Sequence, residues 1–96
     1  MKVLENRFTS IPITEGKNAK YSDLIALSIN RPLERGVTTK EMRRDFKILD
    51  KVEVAEHLIE LEDDEFNYVK SLITTITYPL KHRDLVLFED YINSID

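Results

Sequence analysis

The clearest local signal in the chain is the stretch of residues 38–54, which reads TTKEMRRDFKILDKVEV. Thr38 and Glu41 have the spacing of a capping box, in which a threonine hydroxyl and a glutamate carboxylate satisfy backbone donors at the start of a helix. Four apolar residues follow at spacings of four, three and three, namely Met42, Phe46, Leu49 and Val52. The pattern predicts a helix over about residues 39–54 that buries this apolar stripe in a core.

A second stripe of the same predicted helix is basic. It consists of Lys40, Arg44, Lys47 and Lys51, with Arg43 beside it. With its entry at Gly36, the helix loosely resembles the first helix of a helix-turn-helix, and a basic helix face suits contact with phosphates. The following segment carries Glu53, Glu56 and Glu60, however, where a recognition helix would present basic and polar residues. Nucleic-acid binding is therefore disfavoured but stays open as an alternative.

An acidic stretch follows the basic helix, with seven acids and no Lys or Arg from Glu53 to Glu65. Residues 1–52 hold 11 Lys or Arg against 7 Asp or Glu, whereas residues 53–96 hold 3 against 11, so the two halves carry opposite net charge. Two interpretations remain open. The halves either neutralise each other within the fold, or they meet between subunits or on a partner, where they would set association rate and specificity.

The residues singled out for partner contact lie in these two patches. They are Lys40, Arg43, Arg44, Lys47 and Lys51 on the basic side, and Glu60, Glu62, Asp63, Asp64 and Glu65 on the acidic side. The acids also fall in the first turn of a predicted helix, where the helix dipole favours negative charge. A solvated surface is the simplest expectation for them.

Two further helices are predicted towards the C-terminus. The first spans about residues 63–76 and should end by Pro79, because proline cannot continue a helix. Its apolar stripe is Phe66, Val69, Leu72, Ile73 and Ile76. The second spans about residues 83–94, with Asp84 as a candidate cap, and its apolar face is Leu85, Phe88, Ile92 and Ile95. Residues 57–61 precede both and alternate as a short strand.

The N-terminal third of the chain is less regular. Residues 21–30 fit either a short helix or a strand, and Ser22 as a cap with Asp23 in the first turn favours the helix. Residues 3–4 and 8–13 could each form a short strand, but Pro12 restricts the second to a sheet edge. We expect residues 1–20 to form an irregular arm, partly mobile or ordered by a partner.

These elements predict a small α+β protein that is mostly α, with three or four helices and one or two short strands. Ninety-six residues suit one domain, so we expect a single domain over residues 1–96. Within it, the irregular arm would cover residues 1–20 and a helical core residues 21–96.

The composition argues against an enzyme, a cofactor and a metal site. The chain has no Cys, so it can build neither a thiolate zinc site nor a cysteine nucleophile. Its two glycines, Gly16 and Gly36, are too few for a glycine-rich phosphate-binding loop. The two histidines, His57 and His82, lie far apart, and no serine has a histidine near it in the sequence.

Three stretches give the chain a family resemblance. They are RGVTTKEMRR at residues 35–44, ILDKVE at residues 48–53, and IELED at residues 59–63 with Val69 and Lys70 after it. This outline resembles small accessory proteins of tailed bacteriophages and prophages over about residues 35–90. The resemblance implies a phage or prophage origin and a role through binding, in virion assembly or on a host partner, and it carries over no functional residue.

We therefore expect a non-enzymatic protein–protein interaction module that works as a homo-oligomer or within an assembly. No stretch approaches the roughly 18 apolar residues that span a bilayer, so we expect a cytoplasmic protein with no membrane contact. Because the composition argues against an enzyme, we also expect no small-molecule substrate. One alternative is a small transcriptional regulator that contacts DNA through Arg43, Arg44, Lys47 and Lys51. Another is an inhibitor that presents residues 60–65 to a basic surface of a host nucleic-acid enzyme.

Overall fold

Four helices and four short strands form the part of the chain that the computed structural model describes, which is residues 1–30, 36–78 and 81–95. In chain order they are β1 (Lys2–Glu5), β2 (Phe8–Thr14), β3 (Lys17–Lys20), α1 (Tyr21–Asn30), α2 (Thr39–Glu53), β4 (Leu58–Leu61), α3 (Asp63–Thr75) and α4 (Arg83–Ser94). The predicted α+β class is confirmed, with more strands than the one or two expected.

The predicted helices begin and end close to where periodicity places them. The cap of α2 is Thr38, whose hydroxyl accepts a hydrogen bond from the Glu41 N–H at 3.1 Å. The same hydroxyl lies 3.2 Å from the Glu41 carboxylate and donates to it. Helix α3 ends at Thr75 and α4 at Ser94. The predicted stop at Pro79 lies outside the described residues.

Residues 21–30 form a helix, but its start is built differently from the prediction. Strand β3 runs into α1 without a loop, so Ser22 lies inside the helix instead of capping it. The Asp23 carboxylate accepts the Lys20 N–H at 2.9 Å. The Ser22 N–H donates to the side-chain oxygen of Asn6, also at 2.9 Å, and thereby ties α1 to the chain after β1.

The expectation of an irregular arm over residues 1–20 is wrong, because these residues form β1, β2 and β3. Strands β2 and β3 make an antiparallel hairpin that turns at Gly16, whose φ of +79° is costly for other residues. The short strands considered for residues 3–4 and 8–13 are present within β1 and β2, and the strand that holds Pro12 lies at a sheet edge with β3 as its single neighbour. Strand β1 is short, and its partner is β4, so no local pattern reveals the pairing.

The core lies between the inner face of the β1–β4 sheet and the four helices. Leu4 on β1 stands opposite Ile59 on β4, and both are fully buried. The buried aromatic rings include Phe66 from α3 and Phe88 from α4. Tyr21 packs on Phe88 with 4.8 Å between ring centroids. The buried apolar residues of β1–β4 and α1–α4 thus form one hydrophobic cluster.

Helix α2 is rotated relative to its predicted orientation. Ile48, Leu49 and Val52 are its buried residues. Met42 and Phe46, which the apolar stripe placed in the core, are 40% and 60% exposed. The buried face is centred on the pair Ile48 and Val52, one turn apart, which turns the beginning of the stripe towards solvent.

Asp84 does not cap α4 through its own side chain. The cap is His82, whose Nδ1 accepts the Asp84 N–H at 3.1 Å. The Asp84 carboxylate instead accepts both the N–H and the hydroxyl of Ser10, each at 2.8 Å. A charged side chain near a helix start thus fastens α4 to β2.

The Ser10–Asp84 contact makes stability depend on pH. Hydrogen bonds from Ser10 hold the pKa of Asp84 below its ordinary value of 3.8. A carboxylate with a lowered folded-state pKa stabilises the protein above its unfolded pKa, and this contribution is lost as the pH falls through the folded pKa. Denaturant unfolding from pH 2 to 6 should show that Asp84→Asn is less stable than wild type near pH 6 and equally stable near pH 2. The exposed Asp90→Asn on the same helix should track wild type, and a pH-independent Asp84→Asn deficit would contradict the explanation.

Candidate functional site

The predicted basic patch is divided between two sides of α2. On the side towards α3, the guanidinium of the exposed Arg44 lies 3.6 Å from the centre of the Tyr68 ring. The Tyr68 hydroxyl donates to Asp45 at 2.8 Å, and burial raises the pKa of this phenol, so it remains a donor. Lys51 donates to the Glu65 carboxylate on α3 at 2.5 Å. Arg44 and Lys51 therefore hold α2 against α3.

The other side of α2 faces solvent. Lys40, Arg43 and Lys47 are exposed and form no hydrogen bond or ion pair within the described residues. Arg43 and Lys47 are one turn apart and lie beside Met42 and Phe46, which are also one turn apart. We call these four residues the outer face of α2. It combines two exposed apolar side chains with two exposed cations.

The acidic patch is divided as well. Glu65, predicted as surface, is only 2% exposed, because its carboxylate turns back to accept the Glu62 N–H at 2.8 Å in addition to the bond from Lys51. Asp63 pairs with the N-terminal amine of Met1 at 3.1 Å. The remaining predicted acids, Glu60, Glu62 and Asp64, are exposed. Within the described residues, two ion pairs thus join the two halves of the chain, and most of the opposite charge stays on the surface.

The two edges of the sheet formed by β1 and β4 differ in the contacts that their backbone groups make. The backbone N–H of Asn6, which follows β1, donates to the His57 carbonyl at 2.9 Å. Hydrogen-bonded and non-hydrogen-bonded pairs alternate along an antiparallel ladder, so the backbone N–H and C=O groups of Ile59 and Leu61 point towards β1. On the far side of β1, the Glu5 N–H donates to the Tyr91 hydroxyl of α4 at 2.8 Å. The remaining two β4 residues direct their N–H and C=O groups away from β1.

These two residues are Leu58 and Glu60. Their backbone groups have no hydrogen-bond partner among residues 1–30, 36–78 and 81–95. Two positions further along the same edge, the Glu62 N–H is satisfied by Glu65. We call the unsatisfied part the open edge of β4.

A groove of about 600 Å³ lies beside the open edge, between β4 and the end of α2. Its apolar lining includes Val54 and Leu58, which are 77% and 52% exposed. Its acidic lining comprises Glu56, Glu60 and Glu62. Its one lysine is Lys51, which is held by Glu65. Sequence reasoning missed this groove, because its edge exists only once β1 pairs with β4.

One arrangement in the fold has the composition of a hydrolase triad. Ser10 Oγ lies 3.4 Å from His82 Nε2 and 2.8 Å from Asp84. The sequence did not reveal this, since 72 positions separate Ser10 from His82. The connections differ from those of a triad, in which aspartate binds His Nδ1–H and the serine donates to Nε2. Here His82 Nδ1 accepts a backbone N–H and Ser10 donates to Asp84, so the cluster fits a structural role.

Comparisons with known proteins return no matching family model, no matching curated protein and no matching solved structure. Among the described helices, none is both long enough and apolar enough to cross a bilayer. Within the same residues, no group of three or more His, Asp or Glu side chains is placed to hold a metal ion. Two exposed surfaces of the described residues, the outer face of α2 and the open edge of β4, are candidates for partner contact.

The Lys51–Glu65 pair should contribute strongly to stability. Lys51→Met leaves a buried carboxylate without its cation, which costs about 3 kcal/mol. Lys51→Met combined with Glu65→Gln should recover part of that loss, because the glutamine oxygen can still accept the Glu62 N–H. Urea unfolding of the two variants and wild type measures both effects. Equal stability of Lys51→Met and wild type would contradict a buried pair.

The open edge predicts an alternating pattern of amide exchange in β4. Ile59 and Leu61 donate within the ladder and should exchange slowly, whereas Leu58 and Glu60 face solvent and should exchange at least about tenfold faster. Hydrogen–deuterium exchange followed by NMR on the full chain resolves the four amides. The reverse alternation would place the ladder on the other pair of residues.

Proposed function

We propose that the protein is a non-enzymatic protein–protein interaction module that self-associates through the outer face of α2. In keeping with the family that its sequence resembles, it would act in the cytoplasm as a phage or prophage accessory protein, within an assembly or on a host partner. The observation that supports this proposal is the exposure of Met42 and Phe46 on a well-formed helix.

The composition of the outer face suits a protein interface. Aromatic residues, Met and Arg are enriched in interface cores, and an aromatic side chain with an adjacent Arg is a common energetic anchor. Burial of a side chain such as Phe46 contributes about 1.5–3 kcal/mol. Exposed Arg43 and Lys47 would meet acidic residues of a partner and favour fast, specific encounter. The exposed acids of a second copy provide such a surface.

The contacts of the basic residues favour a protein over nucleic acid as the partner. A DNA-binding helix would need Arg43, Arg44, Lys47 and Lys51 free, but Arg44 and Lys51 bind α3. Phosphate neutralisation provides most of the affinity for DNA, so the neutralisation of Lys51 by Glu65 weakens that alternative. The acidic-inhibitor alternative is weakened in the same way, because Glu65 is buried and Asp63 is paired.

Sedimentation velocity at micromolar concentration tests the proposal. Wild type should sediment as a species larger than 11.3 kDa whose population falls as salt rises. Met42→Ser combined with Phe46→Ser should sediment at 11.3 kDa, because the apolar anchors are gone. The matched control is Val86→Ser with Leu87→Ser, which removes two apolar side chains of comparable exposure from α4. A monomeric wild type, or an equal loss of association in both double variants, would refute self-association through α2. A mobility shift with mixed-sequence DNA that Arg43→Glu abolishes would favour the regulator instead.

A further inference from the structure

We propose that the open edge of β4 binds an extended, basic segment of a partner protein by strand addition. This inference rests on the proposed interaction function, but it concerns a surface separate from the outer face of α2. In strand addition, backbone hydrogen bonds supply affinity, and the side chains around the edge supply specificity.

The backbone of the open edge is ready for such pairing. Leu58 and Glu60 direct two N–H and two C=O groups outward without partners among the described residues. Unpaired strand edges are templates for a further strand. At the opposite edge, Tyr91 on α4 already accepts the Glu5 N–H, so a strand added there would have to displace this hydrogen bond.

The groove gives an incoming strand an apolar floor. Val54 and Leu58 are both largely exposed, and both line the groove beside the edge. A strand laid along β4 would cover part of these side chains. Because side chains of a strand alternate between its faces, every second residue of the bound segment would lie on the face that carries Leu58 and Glu60. A lysine there would cover Leu58 with its alkyl stem and bring its ammonium group to Glu60.

The charge of the groove selects a basic segment. Glu56, Glu60 and Glu62 line it, and its two cations are already paired, Lys51 with Glu65 and the Met1 amine with Asp63. Lysine or arginine side chains would complement these groups, since opposite charges on neighbouring strands are favourable.

The same charges argue against a second copy of β4 as the occupant. Self-pairing would bring Glu60 and Glu62 of two chains together, and like charges across a strand pair are destabilising. Four residues of strand and an acidic rim are also features that protect an edge from aggregation. The occupant that fits is therefore an extended segment of another protein in which Lys or Arg alternates with apolar residues.

The test is an NMR titration of the full-length, ¹⁵N-labelled protein with the capped peptide Lys-Val-Lys-Val-Lys-Val. Binding should shift the amides of Leu58 and Glu60 and slow their hydrogen exchange. Two control peptides separate the causes. Glu-Val-Glu-Val-Glu-Val keeps the backbone but reverses the charge, and the lysine peptide methylated at every backbone nitrogen keeps the charge but cannot add as a strand. Neither should bind at the open edge.

Variants of the protein complete the test. Glu60→Lys should weaken binding of the lysine peptide about five- to tenfold, because it replaces an attraction by a repulsion. Glu56→Lys serves as the second groove variant if Glu60→Lys disturbs the folded spectrum, and Asp90→Lys on α4 is the control with the same charge change. Met42→Ser with Phe46→Ser should bind the peptide like wild type, so a failure of self-association is distinguishable from a failure at β4.

Equal binding of the methylated peptide, or shifts confined to residues outside the groove, would overturn strand addition. Slow exchange of all four β4 amides in the protein alone would assign the edge to a second copy and overturn the proposal.

Discussion

The pairing of β1 with β4 is the constraint on which the rest of the structure depends. It joins residues more than 50 positions apart and sets Leu4 against Ile59 at the centre of the core. The same register directs Ile59 and Leu61 into the ladder and the backbone groups of Leu58 and Glu60 outward. It also brings Glu62 to the position where its N–H binds Glu65 and α3 begins. One strand pair therefore fixes the floor of the core, the start of a helix and the open edge.

Local patterns in the sequence predict the helices well because a helix is stabilised by contacts three and four residues apart. The strands at the N-terminus are different, since β1 is four residues long and its partner lies in the second half of the chain. The rotation of α2 was also beyond local reasoning. Met42 and Phe46 fit an apolar stripe as well as Val52 does, and only the packing against neighbouring elements decides that Ile48 is buried and Phe46 is exposed. The sequence shows an acidic and a basic patch, but it does not show which members of each patch contact other elements and which stay unpaired on the surface.

That division follows from helix geometry. Arg44 and Lys51 point towards α3 and are held by Tyr68 and Glu65, whereas Lys47 lies on a face that no described element covers. A charge that is enclosed costs stability unless it is paired, so the half-buried Lys51 and the buried Glu65 serve the fold. The members left outside are free to meet a partner. The basic surface carries exposed apolar residues and the acidic surface carries an open strand edge, so the two surfaces suit different modes of association.

The register of β1 against β4 is the point at which both the fold and the open edge can be measured together. In an antiparallel pair, residues that do not exchange hydrogen bonds have the closest α-carbons, at about 4.5 Å. A ¹³C-edited NOE spectrum of the full-length protein should therefore show strong Hα–Hα contacts between Val3 and Glu60 and between Glu5 and Leu58. Strong Hα–Hα contacts between Leu4 and Ile59 instead would turn Leu58 and Glu60 towards β1, close the edge and contradict the account.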